Sequence, residues 1–181
     1  MKRPFALVAM IAGLLSGCAS IGTPTVAHVD SVDLPRFMGD WYVIAHIPSR
    51  PEREAYNAVE TYRLLDDGRI QTTFRYRKGS FDAPEKVMTP VGRVVPGFDN
   101  AVWGMQFVWP IQAEYVIGAL DAGYTQTLVV RSKRDYAWLM ARTPRIPEAD
   151  YARHVETLRS MGYDVSQLRR VPQRWPESGS D

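Results

Sequence analysis

Side chains that could carry out catalysis or hold a metal are sparse in this 181-residue sequence. Its three histidines lie far apart and have no metal-ligand spacing, so we predict no metal site. The adjacent carboxylates Asp66 and Asp67 come just before Gly68, an order that is typical of a hairpin turn. The sequence contains no Gly-x-Ser-x-Gly, Walker or cysteine-nucleophile pattern. We therefore expect a protein that is not an enzyme and that uses no cofactor.

Cys18 is the only cysteine, and the residues before it predict that it is modified. Lys2 and Arg3 precede an apolar run, residues 5–15, that is too short to span a bilayer comfortably. The run ends in Leu-Ser-Gly before Cys18, which resembles a bacterial lipobox and implies cleavage before Cys18 and attachment of lipid to it. Residues 1–17 are then a lipoprotein signal peptide. A plain signal peptide or an N-terminal membrane anchor is the alternative.

A lipid on Cys18 would anchor the mature chain to a membrane, since several acyl chains on one residue bind stably. Ala19 follows the cysteine, which by resemblance to enterobacterial sorting favours the outer membrane, with the protein facing the periplasm. Residues 18–33 lack a helical pattern and are predicted to be a tether. Removing Lys2 and Arg3 from the 22 basic residues leaves 20, equal to the 20 acidic ones, so charge gives no reason to expect nucleic acid as a partner.

Short alternations of apolar and polar residues, separated by turn residues, predict a series of β-strands. The third segment is the clearest, because Ile70, Thr72 and Phe74 share one face while arginines occupy the other. Pro90 argues for an edge or a bulge within the fourth segment. We predict eight strands, at residues 41–47, 57–65, 70–77, 86–95, 101–108, 113–120, 125–131 and 136–142.

A sequential antiparallel sheet can remove its edges by closing on itself. Eight strands enclose a space that side chains fill or that holds one small ligand. Residues 147–161 follow with helical periodicity between a proline and a glycine. The predicted fold is therefore all-β: an eight-stranded antiparallel up-and-down β-barrel with one C-terminal α-helix packed outside. The domain is predicted to span residues 34–168, followed by a loosely ordered tail, 169–181.

The inner face of this barrel is predicted to be apolar and aromatic. Methionine and aromatic side chains make adaptable walls for a flexible apolar guest, although a solid core would need the same residues. If the barrel is hollow, we expect the ligand to be bound by Tyr62, Phe74, Tyr76, Met88, Val94, Trp103, Met105, Tyr115, Ile117, Trp138 and Met140. Phe107 shares this face.

Three motifs occur in a specific order and spacing: Gly39-Asp40-Trp41-Tyr42 at the first strand, Arg134-Asp135-Tyr136 before the last strand, and the last strand itself with Arg142. Together they resemble the lipocalin family, and more narrowly its bacterial outer-membrane lipoproteins related to apolipoprotein D. The resemblance implies that Gly39, Trp41, Asp135, Tyr136 and Arg142 form the barrel floor, with Arg142 packed against Trp41.

The same resemblance implies a membrane-anchored carrier for a lipophilic small molecule, a fatty acid or a lysophospholipid, that stores or transports lipid in the cell envelope. The sequence leaves two alternatives open. One is an enzyme of the isomerase or de-epoxidase type on the same barrel, and the other is a structural lipoprotein with a filled barrel. Haem bound through His46 is a minor alternative, and a homodimer is compatible with the sequence.

Strand parity turns the charged residue Glu60 inward, on the same face as Tyr62. The family usually has a small residue at this position. Because an inward carboxylate without a partner is costly, we predict a partner such as an inward arginine. The alternative hypothesis is that Glu60 contacts the ligand and selects against the anion of a free fatty acid.

Overall fold

The structure is a computed structural model that describes residues 21–175, so Cys18 and the predicted signal peptide lie outside the described residues. A short helix α1 (Leu34–Phe37) precedes the strands, and helix α2 (Glu148–Ser160) follows the ninth of them. The strands are β1 Gly39–Ile47, β2 Ala55–Leu64, β3 Ile70–Lys78, β4 Glu85–Met88, β5 Val91–Val94, β6 Val102–Val108, β7 Ile111–Leu120, β8 Gln126–Val130, β9 Ala137–Ala141 and β10 Arg169–Arg170.

The strands follow one another in an antiparallel meander, and β1 pairs with both β2 and β9, which closes the sheet into a barrel. The predicted eight-stranded barrel with an outer helix is confirmed. Its fourth strand is divided into β4 and β5 at Pro90, because proline has no N–H to give to a sheet. The two-residue β10 adds a short edge beside β1.

Apolar side chains form one cluster inside the barrel and a second one outside it. The inner cluster contains Trp41, Val43 and Met140. The outer cluster contains Ile44, Ala45 and Leu139 and lies under α2, whose Leu158 is fully buried. Alternation along β1 supplies side chains to both clusters, and a bulge between Val43 and Ala45 places the consecutive residues Ile44 and Ala45 in the outer one. The helix therefore covers the barrel wall from outside.

Helix α2 is fixed to the barrel by a polar contact as well as by Leu158. His154 is buried, and its Nε2 lies 2.8 Å from Oε1 of Gln126 on β8. Burial, with a contribution from the charge of Arg153, lowers the pKa of His154. Neither helix within residues 21–175 is long and apolar enough to cross a membrane.

The N-terminal segment packs on the barrel more closely than its composition predicts. Val26 and Val32 are buried, and the N–H of Val29 donates to the carbonyl of Ile117 at 3.0 Å. The part of the predicted tether that the structure describes, residues 21–33, is therefore held in place by buried apolar side chains and backbone hydrogen bonds.

The C-terminal segment 169–175 is also ordered, whereas its polar composition predicts a loose tail. The N–H of Val171 donates to the carbonyl of Ile44 at 2.9 Å, and the Val171 side chain joins the inner cluster. The side-chain amide of Gln173 donates to the carbonyl of Val43 at 2.8 Å. One buried valine and hydrogen bonds along β1 therefore hold a segment that looks polar overall.

Candidate ligand-binding cavity

One end of the barrel, which we call the floor, is closed by α1 and by closely packed aromatic side chains. The rings of Phe37 and Trp41 lie 4.9 Å apart between centroids, and Phe37 also contacts Tyr62 and Trp103. The indole N–H of Trp41 donates to the carbonyl of Phe37 at 2.8 Å. All four of these side chains are almost fully buried, so the lower half of the barrel is solid.

Arg142 closes the floor from outside. Its guanidinium lies 3.8 Å from the centre of the Trp41 ring and donates to the carbonyls of Asp40 and Arg36, both at 2.8 Å. Gly39 sits directly against this group with a φ of 94°, and a Cβ there would lie 3.4 Å from Nη1 of Arg142. The Arg–Trp contact is the arrangement that the motifs imply for this end.

Asp135 and Tyr136 are not part of the floor, and this part of the predicted floor signature is wrong. Gln126 pairs with Ala141 beside Arg142 at the floor, so the hairpin of β8 and β9 turns at the opposite end of the barrel, which we call the mouth. Tyr136 lines the cavity there, and Asp135 accepts a hydrogen bond from Arg131 at 3.3 Å. The motif Arg134-Asp135-Tyr136 correctly predicts a turn next to the last strand, but it does not predict at which end of the barrel that turn lies.

Above the aromatic floor the barrel is hollow, with a cavity of about 400 Å³. This volume lies within the range of roughly 300–1,000 Å³ that small-molecule sites occupy. Six of the residues predicted to bind ligand line it: Glu60, Phe74, Met88, Met105, Tyr115 and Trp138. Phe107 lines it as well.

The other six predicted residues do not border the cavity. They are Tyr62, Tyr76, Val94, Trp103, Ile117 and Met140, which belong to or pack against the inner cluster. Strand parity identifies which residues point inward, but it does not say which of them lie at the depth of the cavity. Their packing explains why a barrel with so many inward aromatic side chains is hollow only in part.

Sequence reasoning missed nine residues of the cavity wall: Ser49, Pro51, Glu52, Thr72, Pro90, Ala113, Glu114, Arg131 and Tyr136. Thr72 and Ala113 share the parity of Phe74 and Tyr115, so the alternation contained a signal for them. The sequence contained no such signal for Glu52, because this side chain reaches the cavity from a turn, Arg50–Glu52, in the loop between β1 and β2. His46 is fully buried without bordering the cavity.

Glu60 is buried in the cavity wall, and its hydrogen-bond partner is a tyrosine. The Tyr62 hydroxyl donates to Oε2 of Glu60 and is also hydrogen-bonded to the hydroxyl of Tyr115. The predicted arginine partner is therefore wrong. Burial, followed by the nearby charge of Glu52, raises the pKa of Glu60 from 4.5 to about 8. At neutral pH the wall therefore presents mainly a neutral carboxylic acid.

Glu52 is a second buried carboxyl group in the same cavity. Its Oε2 accepts the backbone N–H of Ser49 at 3.0 Å, which holds the turn over the mouth. Burial raises the pKa of Glu52, and the hydrogen bonds from Ser49 offset part of that effect. Neither Glu52 nor Glu60 has a salt-bridge partner within residues 21–175.

Two polar groups of the cavity wall have no hydrogen-bond partner among the described residues. They are the hydroxyl of Thr72 and the Nε–H of Arg131. Buried polar groups normally find a partner, so these atoms, which have almost no exposed surface, are polar groups that burial leaves unsatisfied. The cavity is thus an apolar chamber with a few polar groups in its wall and two acids.

Comparison with known proteins agrees with this architecture. The sequence profile of the lipocalin-like domain matches residues 32–173. The chain is 30% identical to the outer membrane lipoprotein Blc of Escherichia coli K12 over 174 residues, which is 94% of this chain and 96% of that protein. It is 29% identical to temperature-induced lipocalin-1 of Arabidopsis thaliana over 156 residues, covering 80% and 81% of the two chains.

Solved structures show the same fold at low sequence identity. Insecticyanin from Manduca sexta superposes with a TM-score of 0.64 at 15% identity, over 86% of this chain and 87% of that one. A closed eight-stranded barrel with a hollow upper half and an outer helix defines a protein of the small-ligand-binding barrel class. The profile match over most of the chain then shows that this protein belongs to the lipocalin family.

Proposed function

We propose that this protein is a lipoprotein of the outer membrane that binds one single-chain lipid non-covalently and stores or moves it in the cell envelope, facing the periplasm. Its Blc relatives are named outer membrane lipoproteins, which supports a lipid on Cys18 and this location. The observation that carries the ligand proposal is the hollow upper half of the barrel, with its cavity of about 400 Å³. We propose binding without turnover.

The apolar part of the wall supplies the affinity for an acyl tail. Phe74, Met88 and Met105 come from neighbouring strands and lie side by side along one wall of the cavity. Burial of each methylene contributes roughly 0.8 kcal/mol, so a long tail needs no specific polar contact. Methionine side chains adapt to a flexible chain, which suits lipids that differ in tail length.

The buried acids favour a lysophospholipid over a free fatty acid, most strongly once Glu60 ionises above about pH 8. A fatty acid is slim enough to enter with its carboxylate, which would then face Glu60 and Glu52 in a space of low dielectric. The larger phosphate head of a lysophospholipid stays at the mouth. Arg131 lies there beside Asp135, and the positive charge of its guanidinium can attract a phosphate.

Displacement of a fluorescent probe by a lysophospholipid and by a fatty acid with the same tail tests this preference. We expect the wild-type protein to bind the fatty acid roughly tenfold more weakly above pH 8 than at neutral pH, because Glu60 then ionises. In Glu60→Gln this loss should disappear. The matched control is Glu85→Gln, an exposed carboxyl group on β4. An unchanged fatty-acid affinity across this pH range in wild type would contradict the preference.

A carboxyl group that holds its proton near neutral pH could also transfer it to a bound lipid, so an isomerase is the second candidate. Glu60 is the observation that favours it, since its pKa is raised to about 8 inside the cavity. Incubation with candidate lipids followed by mass spectrometry and chromatography distinguishes the two. Under our proposal the lipid is recovered unchanged, whereas conversion that is lost in Glu60→Gln would establish an enzyme.

A further inference from the structure

The hairpin between β6 and β7 ends in an exposed apolar surface. Phe107, Val108, Trp109 and Ile111 are 56%, 68%, 82% and 69% exposed. Single exposed apolar residues are common on soluble domains, but a contiguous group of large ones marks an interaction site. We refer to residues 107–111 as the β6–β7 tip.

The β6–β7 tip is continuous with the ligand cavity. Phe107 belongs to the exposed surface and also lines the cavity, next to Met105 on the same face of β6. An apolar path therefore leads from the outer end of the hairpin over Phe107 into the barrel. A ligand that arrives at the tip can enter without crossing a polar rim on this side.

The N-terminal anchor leaves the barrel from the same wall that carries the tip. A Cβ at Gly104, on the outer face of β6, would lie 2.9 Å from Cδ1 of Ile21. Cys18 precedes Ile21 by three residues, which span at most about 10 Å. From Gly104 to Trp109 the strand runs for five residues, about 17 Å. The lipid on Cys18 and the tip can thus reach one membrane surface together.

Basic residues beside the tip indicate what the surface meets. Arg69 and Arg93 border a groove of about 260 Å³ on the outer wall, and Trp109 and Gln106 border it as well. Arg69 is paired with Asp67, so Arg93 supplies the unpaired positive charge of this groove among the described residues. A tryptophan next to guanidinium groups suits the boundary between acyl chains and phosphate head groups, where indole rings and basic side chains concentrate.

We propose that the β6–β7 tip inserts into the bilayer that holds the lipid on Cys18, so that the mouth of the barrel opens onto the membrane. Lipid then passes between the bilayer and the cavity along Phe107 without entering bulk water. The insertion rests on the proposed anchoring of Cys18, and the route of entry rests also on the proposed lipid binding.

Quenching of tryptophan fluorescence by brominated lipids tests the insertion. The full-length lipidated protein, loaded with an unbrominated lysophospholipid, is placed in phosphatidylethanolamine and phosphatidylglycerol vesicles with brominated acyl chains. We expect quenching in wild type that is lost in Trp109→Phe. Trp175→Phe is the matched control, because Trp175 is the other exposed tryptophan and lies outside the tip. Quenching that is equal in wild type and Trp109→Phe overturns the insertion.

The route of entry is tested by the rate at which lipid is taken up from vesicles. Trp109→Ser combined with Ile111→Ser should slow uptake at least about tenfold while leaving the affinity for dissolved lysophospholipid unchanged. Val87→Ser is the control, since Val87 is exposed and apolar but lies on β4.

The outcomes separate this inference from the proposed function. Normal uptake in the double variant overturns the route of entry. If the wild-type protein also fails to bind dissolved lysophospholipid, the proposed ligand is wrong. The quenching experiment would still decide whether the tip inserts into the bilayer. If Trp109 is not quenched and its replacement instead abolishes a dimer, the tip is an interface between two copies, and the proposal is wrong.

Discussion

Replacing Glu60 with glutamine should change how the stability of the barrel depends on pH. Glutamine keeps the shape of the side chain, accepts the hydrogen bond from Tyr62 through its amide oxygen and cannot ionise. Glu60 itself is buried, and its pKa rises from 4.5 to about 8 on folding. The folded protein therefore keeps a proton that the unfolded chain has lost, and the free energy of unfolding falls as pH rises between these two values.

The histidines limit the pH window in which this effect is clean. Burial, with the nearby charge of Arg169, lowers the pKa of His46 from 6.5 to about 4. His46 is then neutral in the folded state, so its contribution is lost as pH falls below 6.5 and stays constant above that value. His154 shifts in the same direction. Between about pH 6.5 and about pH 8 the trend due to Glu60 is not opposed by either histidine.

The expected size of the effect in that window follows from the linkage relation. A carboxyl group that remains protonated only in the folded state lowers the free energy of unfolding by about 1.4 kcal/mol per pH unit until it begins to ionise. From pH 6.5 to pH 8 this gives a fall of ~1.5 kcal/mol for Glu60. Glu52 is present in wild type and in the variant, so their difference reports Glu60 together with its coupling to Glu52.

Urea unfolding followed by tryptophan fluorescence at several pH values measures this difference. We expect the wild-type protein to lose ~1.5 kcal/mol across the window relative to Glu60→Gln, and the variant to be the more stable protein at the upper end. Glu85→Gln, an exposed carboxyl group, should follow wild type. Parallel curves for wild type and Glu60→Gln would refute the reasoning, because they would mean that Glu60 ionises alike in folded and unfolded chains.

The floor gives two further predictions, both measured by urea unfolding. Arg142→Lys should lower the free energy of unfolding by about 2 kcal/mol, because lysine cannot donate to several carbonyls at once and also cover the Trp41 ring. Arg145→Lys, at an exposed position, is the control. An equal effect in this control would contradict the role of Arg142. Gly39→Ala should cost about 1–2 kcal/mol, because its φ of 94° disfavours a side chain. In Gly22→Ala, where a Cβ meets no atom within 4 Å, stability should not change.

The alternation of apolar and polar residues was sufficient to predict the barrel. Each strand needs only two-residue periodicity and a turn, and both are local properties of the sequence. Pro90 even marked the place where the fourth strand divides, since it lacks an N–H. The packing of Val171 could not be predicted from the sequence. A single valine in a polar segment gives no periodic pattern, and Val171 is held against β1, which lies far away in the sequence.

The sequence predicts which side chains point into the barrel, but it does not predict how deep they lie or how their charges interact. Trp103 and Met105 have the same parity, yet only Met105 reaches the cavity, because the aromatic layer below fills the barrel to the level of Trp103. Glu52 enters through a loop, which has no periodicity to predict it. The tyrosine partner of Glu60 lies two residues along the same strand, so parity contained a signal for it. The second tyrosine, Tyr115, comes from β7, and no signal in the sequence predicted its contact with Tyr62.

The central claim is that the upper half of this barrel holds a lipid. Native mass spectrometry of the protein, extracted from its own membrane in a mild detergent, measures this directly. We expect one additional mass per barrel, equal to that of a single-chain phospholipid and released on collisional activation, while the covalent lipid on Cys18 remains. A barrel that carries only its covalent anchor under the same gentle conditions would contradict the account.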